Sequence, residues 1–118
     1  MIEKNDIREV SIVIINYRTW EYTIDCIQSL AKGSYRNFRL FILDIMNLND
    51  SVKNIRTYMD KNPELNYEII EIKCKCGFAE ANNTVLKILL DRDYRGYIWL
   101  LNNDTLVEHN TLSSLIND

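Results

Sequence analysis

Asn102-Asn103-Asp104-Thr105 follows directly on the apolar run Ile98-Trp99-Leu100-Leu101. An oxygen-rich turn at a strand end offers what a hard divalent cation takes, and Mg²⁺ or Mn²⁺ there would in turn hold a diphosphate. Asp104 alone does not complete a shell; diphosphate oxygens, water and a ligand from elsewhere must do so. Taken alone, the same tetrapeptide is also an ordinary strand-to-turn sequence. Asp44 closes a second apolar run, Phe38–Leu43, where a carboxylate is costly unless something pairs with it. Two readings stay open for it: an acceptor for the imide N–H of a uracil-like base, or a turn aspartate. Asn16, Tyr17 and Arg18 follow a third run, and Tyr17 has a ring that can stack on a base or sugar.

Asn82 and Asn83 stand side by side one turn into a helical pattern that opens at Gly77. Carboxamides are poor helix formers, so their presence suggests a backbone or ligand that must be hydrogen-bonded there. Asn82 falls on the apolar stripe and reads as a buried tie to the preceding loop; Asn83 reads as the one facing a cleft. His109, the one histidine, sits among polar residues at the start of a terminal helix and reads as a solvated cap-region group. Trp20 lies on a helical stripe and reads as packing. Cys26, Cys74 and Cys76 have neither zinc-site nor redox spacing and read as reduced thiols.

The elements that must position these groups alternate. Val10–Ile15 is short, β-branched and apolar except at Ser11, as in a strand buried on both faces of a parallel sheet. Helical periodicity runs from Trp20 to Lys32, with Gly33 where a helix would stop. A strand at Phe38–Leu43 and a helix from Ser51 to about Lys61 follow, the helix capped by Asn49 or Asp50. Tyr67–Ile72 is a strand interrupted by two carboxylates, and so nearer an edge. A helix over Phe78–Leu90, with Phe78 on its apolar face, precedes the strand Tyr97–Leu101 and a last helix near His109–Ile116. This β-α repetition predicts an α/β fold: a Rossmann-like, mostly parallel sheet with helices on both faces. Ligands of such sheets bind beyond the carboxyl ends of the strands, where strand order reverses. Asn16, Tyr17, Asp44, Lys75, Gly77 and Asn102 to Asp104 all belong to that rim.

With 118 residues, 47% hydrophobic and 26% charged, the chain can form one domain with a real core. Its net charge of -3 and scattered Lys and Arg exclude the basic stripe that a nucleic-acid partner requires. The amino terminus has no apolar signal core, and no run approaches a membrane span. The expectation is a cytoplasmic protein, peripheral to the membrane at most.

Five segments together resemble glycosyltransferase family 2 and its rhamnosyl- and galactofuranosyltransferase-like relatives. They are Val-Ser-Ile-Val-Ile-Ile-Asn-Tyr (10–17), Cys-Ile-Gln-Ser-Leu (26–30), Phe-Ile-Leu-Asp (41–44), Gly-Phe-Ala-Glu-Ala-Asn-Asn (77–83) and Leu-Leu-Asn-Asn-Asp-Thr (100–105). The resemblance implies the N-terminal, nucleotide-sugar-binding half of a GT-A fold over about residues 10–118. It also implies a UDP- or dTDP-sugar donor, a divalent metal and inversion at the anomeric carbon. Asn16 and Tyr17 would line the nucleoside pocket, Asp44 would hold the base, and Asn83 would lie near the ribose or diphosphate. Asn102, Asn103 and Asp104 would be the counterpart of the family's Asp-x-Asp motif, with Asp104 on the metal. The loop after Asp44 departs from the family pattern through Ile45, Met46 and Leu48. No residue can be carried over as the catalytic base, which the family places beyond the Asn-x-Asp motif. If such a half stood alone, the surface left by the missing half would favour a homo-oligomer, and a non-catalytic nucleotide-binding or interaction domain is the alternative.

Overall fold

A computed structural model describes residues 9–46, 50–73 and 77–117. The proposed cap at Asn49, the apolar loop residue Leu48, and Cys74, Lys75 and Cys76 lie outside these. Eight elements alternate as expected: β1 (Val10–Asn16), α1 (Trp20–Ala31), β2 (Phe38–Ile45), α2 (Ser51–Asp60), β3 (Tyr67–Ile72), α3 (Phe78–Asp91), β4 (Tyr97–Asn102) and α4 (Thr111–Asn117). The strands form one sheet in the order β3-β2-β1-β4, parallel at every pairing. The carboxylate-bearing β3 is an edge, as its sequence predicted.

Alternation of side chains along β1 divides the core in two. Val10, Ile12 and Ile14 pack with Cys26, Ile27 and Leu30 of α1, Ile55 and Met59 of α2, and Leu112 of α4. Val13 and Ile15 face the other way, where Phe41, Leu43 and Ile45 of β2 meet Ala81, Val85 and Leu89 of α3. One sheet is thus covered on both faces, which is why β1 and β2 read as continuous apolar runs. β4 is the other edge: Leu101 is buried, but Ile98 and Leu100 are exposed. No helix among the described residues is long and apolar enough to cross a membrane.

Gly33 stands just past the end of α1, where the sequence places a helix stop, and it does so without a positive φ. A Cβ there would lie 3.2 Å from the carbonyl oxygens of His109 and Leu30. The glycine lets the segment after β4 approach the end of α1 closely. Ser34 N donates to the His109 carbonyl at 2.9 Å, and Val107 N donates to Ser29 Oγ at 2.9 Å. The chain leaving the carboxyl end of β4 is thereby fastened to α1.

Ile14 is fully buried at the centre of the sheet, whereas Leu90 is 79% exposed. Ile14→Ala is expected to cost about 2–5 kcal/mol in urea unfolding through lost burial and the cavity left behind. Leu90→Ala is expected to change stability by no more than ~0.5 kcal/mol. Equal losses would contradict this placement of the core.

Candidate functional site at the strand tips

From β1 the chain moves outward through β2 and β3, then returns to place β4 on the other side of β1. Strand order therefore reverses at β1, and a crevice opens beyond its carboxyl end. The register brings the tips level: Asn16 lies opposite Asp44, and Ile15 opposite Asn102.

A chain of polar side chains runs beneath this rim. Asn103 Nδ2 donates to Thr19 Oγ1 at 2.7 Å and to Thr23 Oγ1 at 3.1 Å. Thr23 Oγ1 donates its single proton to Asn16 Oδ1 at 2.6 Å. Asn16 Nδ2 donates to Asp44 Oδ1 at 2.8 Å. Every donor direction is forced, because the two amides can only donate through nitrogen and Thr23 has one proton to give. The chain ends on a carboxylate, which polarises it in one sense. Asn16 and Thr23 are fully buried and Asp44 is 1% exposed. Thr19, at the N-cap of α1, makes no side-chain capping bond; its hydroxyl accepts from the β4 turn instead.

Above this chain lies a cavity of about 300 Å³ lined by Ile15, Tyr17, Thr19, Phe78, Asn102, Asn103 and Asp104. Tyr17 is exposed, with the Arg18 guanidinium 5.4 Å from its ring centroid, a cation–π distance. Arg18 (φ 62°) and Met46 (φ 69°) are left-handed, one just past the tip of β1 and one just past that of β2. Such backbone costs about 1 kcal/mol or more outside glycine and tends to gather at ligand sites. A larger cavity, about 410 Å³, lies at the amino ends of the strands among Glu9, Arg39, Arg92, Asp93 and Arg95. Its arginines are already matched by Glu9, Glu68 and Asp93.

The structure sorts the expected residues into two layers. Tyr17, Asn102 and Asp104 are exposed on the cavity. Asn103 lines it, but its amide nitrogen is turned inward onto Thr19 and Thr23. Asn16, expected to line a nucleoside pocket, is wholly buried with both ends of its amide engaged; it acts on that region by holding Asp44. Asp44 sits under the rim rather than in the cavity wall. Asn83 is exposed on α3 and is absent from the cavity lining, while Asn82 is buried as expected. His109 is exposed, and Trp20 packs against the core. Thr19, Thr23 and Phe78 were missed. Thr23 carried a signal, a hydroxyl three residues after Trp20 on an otherwise apolar helical stripe. Phe78, expected in the core, is 53% exposed at the first residue of α3 and lines the cavity.

For a divalent ion the chain offers oxygen donors at Asp104 and Asn102. Among the described residues no group of three or more His, Cys, Asp or Glu converges. Burial, then the charge of Asp104, pushes the Cys26 thiol up to about 12. A thiol so raised is held in its protonated form at neutral pH.

Residues 11–118 match Glycosyl transferase family 2. A glycosyltransferase GlyG of Streptococcus pneumoniae serotype 4 is 22% identical over 106 residues, covering 90% of this chain and 33% of that protein. The fold is similar to that of S. aureus TarS residues 1–349, with a TM-score of 0.75 and 18% identity over 92% of this chain and 31% of that one. TarS 1–349 has also been solved in complex with UDP. The mannosyltransferase PcManGT from Pyrobaculum calidifontis, solved with GDP-Man and Mn²⁺, is similar with a TM-score of 0.75 and 16% identity, over 96% of this chain and 32% of that one. The chain spans about a third of the length of these relatives, and its parallel sheet with flanking helices is similar to that of GT-A enzymes.

Asn16→Ala removes one partner of Asp44 and the acceptor of Thr23. We expect it to cost about 3 kcal/mol, since a charged group loses a buried hydrogen bond. A double-mutant cycle with Thr23→Val, read by urea unfolding, should show a coupling of about 1 kcal/mol or more. Strict additivity would mean that the two side chains do not act as one chain.

Proposed function

Because the chain belongs to Glycosyl transferase family 2, we propose that it is the donor-binding part of an inverting sugar transferase that uses a UDP- or dTDP-sugar. The observation that carries this reading is the meeting of Tyr17, Asn102 and Asp104 on one cavity at the sheet's reversal point, with Asp44 tied in just beneath. In this reading Tyr17 supplies a flat ring for the nucleoside. Asp44, locked as an acceptor by Asn16, takes an N–H of the base once the rim admits it. Asn83, exposed on α3, is assigned to the ribose or diphosphate.

Asp104 and Asn102 are the groups that would hold a divalent cation. When bound, such an ion neutralises charge on the departing diphosphate. Asn103 holds the turn so that the Asp104 carboxylate faces the cavity. An acceptor hydroxyl would attack the anomeric carbon from the side opposite the diphosphate; the base that deprotonates it is assigned to no residue described here. Transfer to a saccharide or other hydroxyl acceptor, a role in polysaccharide synthesis and a cytoplasmic site of action belong to the same proposal. The division of labour does too, with residues 1–118 forming the donor half.

A second reading, a non-catalytic interaction or nucleotide-binding domain, is favoured by a specific observation. Ile98 and Leu100 are 41% and 44% exposed on edge strand β4, an apolar surface that self-association would cover.

Titration calorimetry of the chain with UDP, dTDP and GDP, each with and without Mn²⁺, separates the two. The donor-binding reading expects UDP or dTDP to bind and Mn²⁺ to tighten binding. It also expects Asp104→Ala to weaken the Mn²⁺-supported affinity about tenfold or more, a loss of ~1.4 kcal/mol or above. Binding of GDP alone would move the donor assignment. No binding of any nucleotide, with sedimentation showing a dimer, would support the interaction domain.

A further inference from the structure

We infer that Thr23 is a positioning residue that ties the base-facing carboxylate at the tip of β2 to the cation-bearing turn after β4, so that the two ends of the donor site are held as one unit. This role presupposes the donor-binding reading above. Thr23 touches neither the cavity nor any group assigned to a ligand directly. It lies at the node where α1, β1 and β4 meet: its hydroxyl accepts from Asn103 at 3.1 Å and donates to Asn16 at 2.6 Å. The alternative acceptor for its proton, the Thr19 carbonyl, is 3.5 Å away, too long to compete.

Each link reaches one end of the site. Asn16 passes the tie to Asp44 at 2.8 Å. Asn103 is the residue before Asp104, so clamping its amide on Thr19 and Thr23 limits where the next carboxylate can point. A displacement of either end must stretch hydrogen bonds that are buried at Asn16 and part-buried at Asn103. A base that draws on Asp44 and a cation that draws on Asp104 therefore act on the same chain, and binding of one changes the cost of binding the other.

Other features carry less. Asn82 Oδ1 is buried with no hydrogen-bond partner among the described residues, but nothing shows it facing a cavity. The hollow between α1 and the segment after β4, lined by Asp25, Gln28, Ser29, Lys32 and His109, has no buried polar group aimed into it.

Thr23→Val keeps the side chain's shape and removes its hydroxyl; Thr23→Ser keeps the hydroxyl. The readout is the factor by which Mn²⁺ tightens the best-binding of UDP, dTDP and GDP, measured by calorimetry on the full chain. Thr23→Val is expected to reduce that factor about tenfold, with Thr23→Ser restoring it. Nucleotide affinity without Mn²⁺ should fall less. A purely structural threonine would lower stability and both affinities together, without altering the Mn²⁺ factor. If Thr23→Val does not fold, Asn103→Ala cuts the same tie from the half-buried side and is expected to reduce the factor similarly. An unchanged factor in the variant that folds would overturn the role of Thr23 while leaving the donor-binding reading intact. No nucleotide binding by the unaltered chain would overturn both.

Discussion

A carboxyl group buried at a strand tip has to be solvated by the protein, and at Asp44 Asn16 takes up one oxygen of it. The amide of Asn16 donates to the carboxylate, and its carbonyl must then find a donor of its own, which is Thr23. Thr23, having given its proton, can accept from Asn103. Each residue's hydrogen-bonding sense is set by its neighbour, because the two amides donate only through nitrogen and the threonine has one proton to give. The result fastens β1, β2, α1 and the β4 turn together at the end of the sheet where a ligand would bind. Side chains that look redundant in sequence, two asparagines and two threonines, therefore do different things.

Topology makes the same rim available. Because β4 joins β1 on the side away from β2, the tips of β1 and β4 lie side by side, with Ile15 opposite Asn102. The polar layer closes the floor of the cavity there, and Tyr17, Phe78, Asn102 and Asp104 stand around it. Left-handed backbone at Arg18 and Met46 turns the chain sharply just past two of the strand tips. The polar groups on the cavity, from Tyr17, Thr19, Asn102, Asn103 and Asp104, present hydroxyl, amide and carboxylate oxygens. That donor set suits phosphates and hard cations.

The edge strand β4 connects the site to what surrounds it. Its inner residue Leu101 belongs to the core, while Ile98 and Leu100, on the other face, are not covered by α3. Asn102, which ends this strand, lies on the cavity. The exposed outer face of β4 is therefore continuous with the turn that carries Asp104.

Much of this was legible in the residues alone. Continuous β-branched runs announced strands buried on two faces, helical periodicity separated them, and alternation implied the parallel sheet; these follow from local covalent geometry and burial, which sequence carries directly. The rim position of Asn16, Asp44 and Asn102 to Asp104 followed from topology. Tertiary structure alone decided which of them face out. Asn16 and Asn103 were expected on the ligand, yet Asn16 is buried and the amide of Asn103 turns inward, because a hydrogen bond between residues 28 or 80 positions apart leaves no periodic trace. Phe78 read as core because its spacing matched the apolar stripe, yet as the first residue of α3 it lies on the cavity wall. Sequence determined the elements and the chemistry at their ends; the packing of α1 against the tip of β1 and the turn after β4 decided which groups became floor and which became surface.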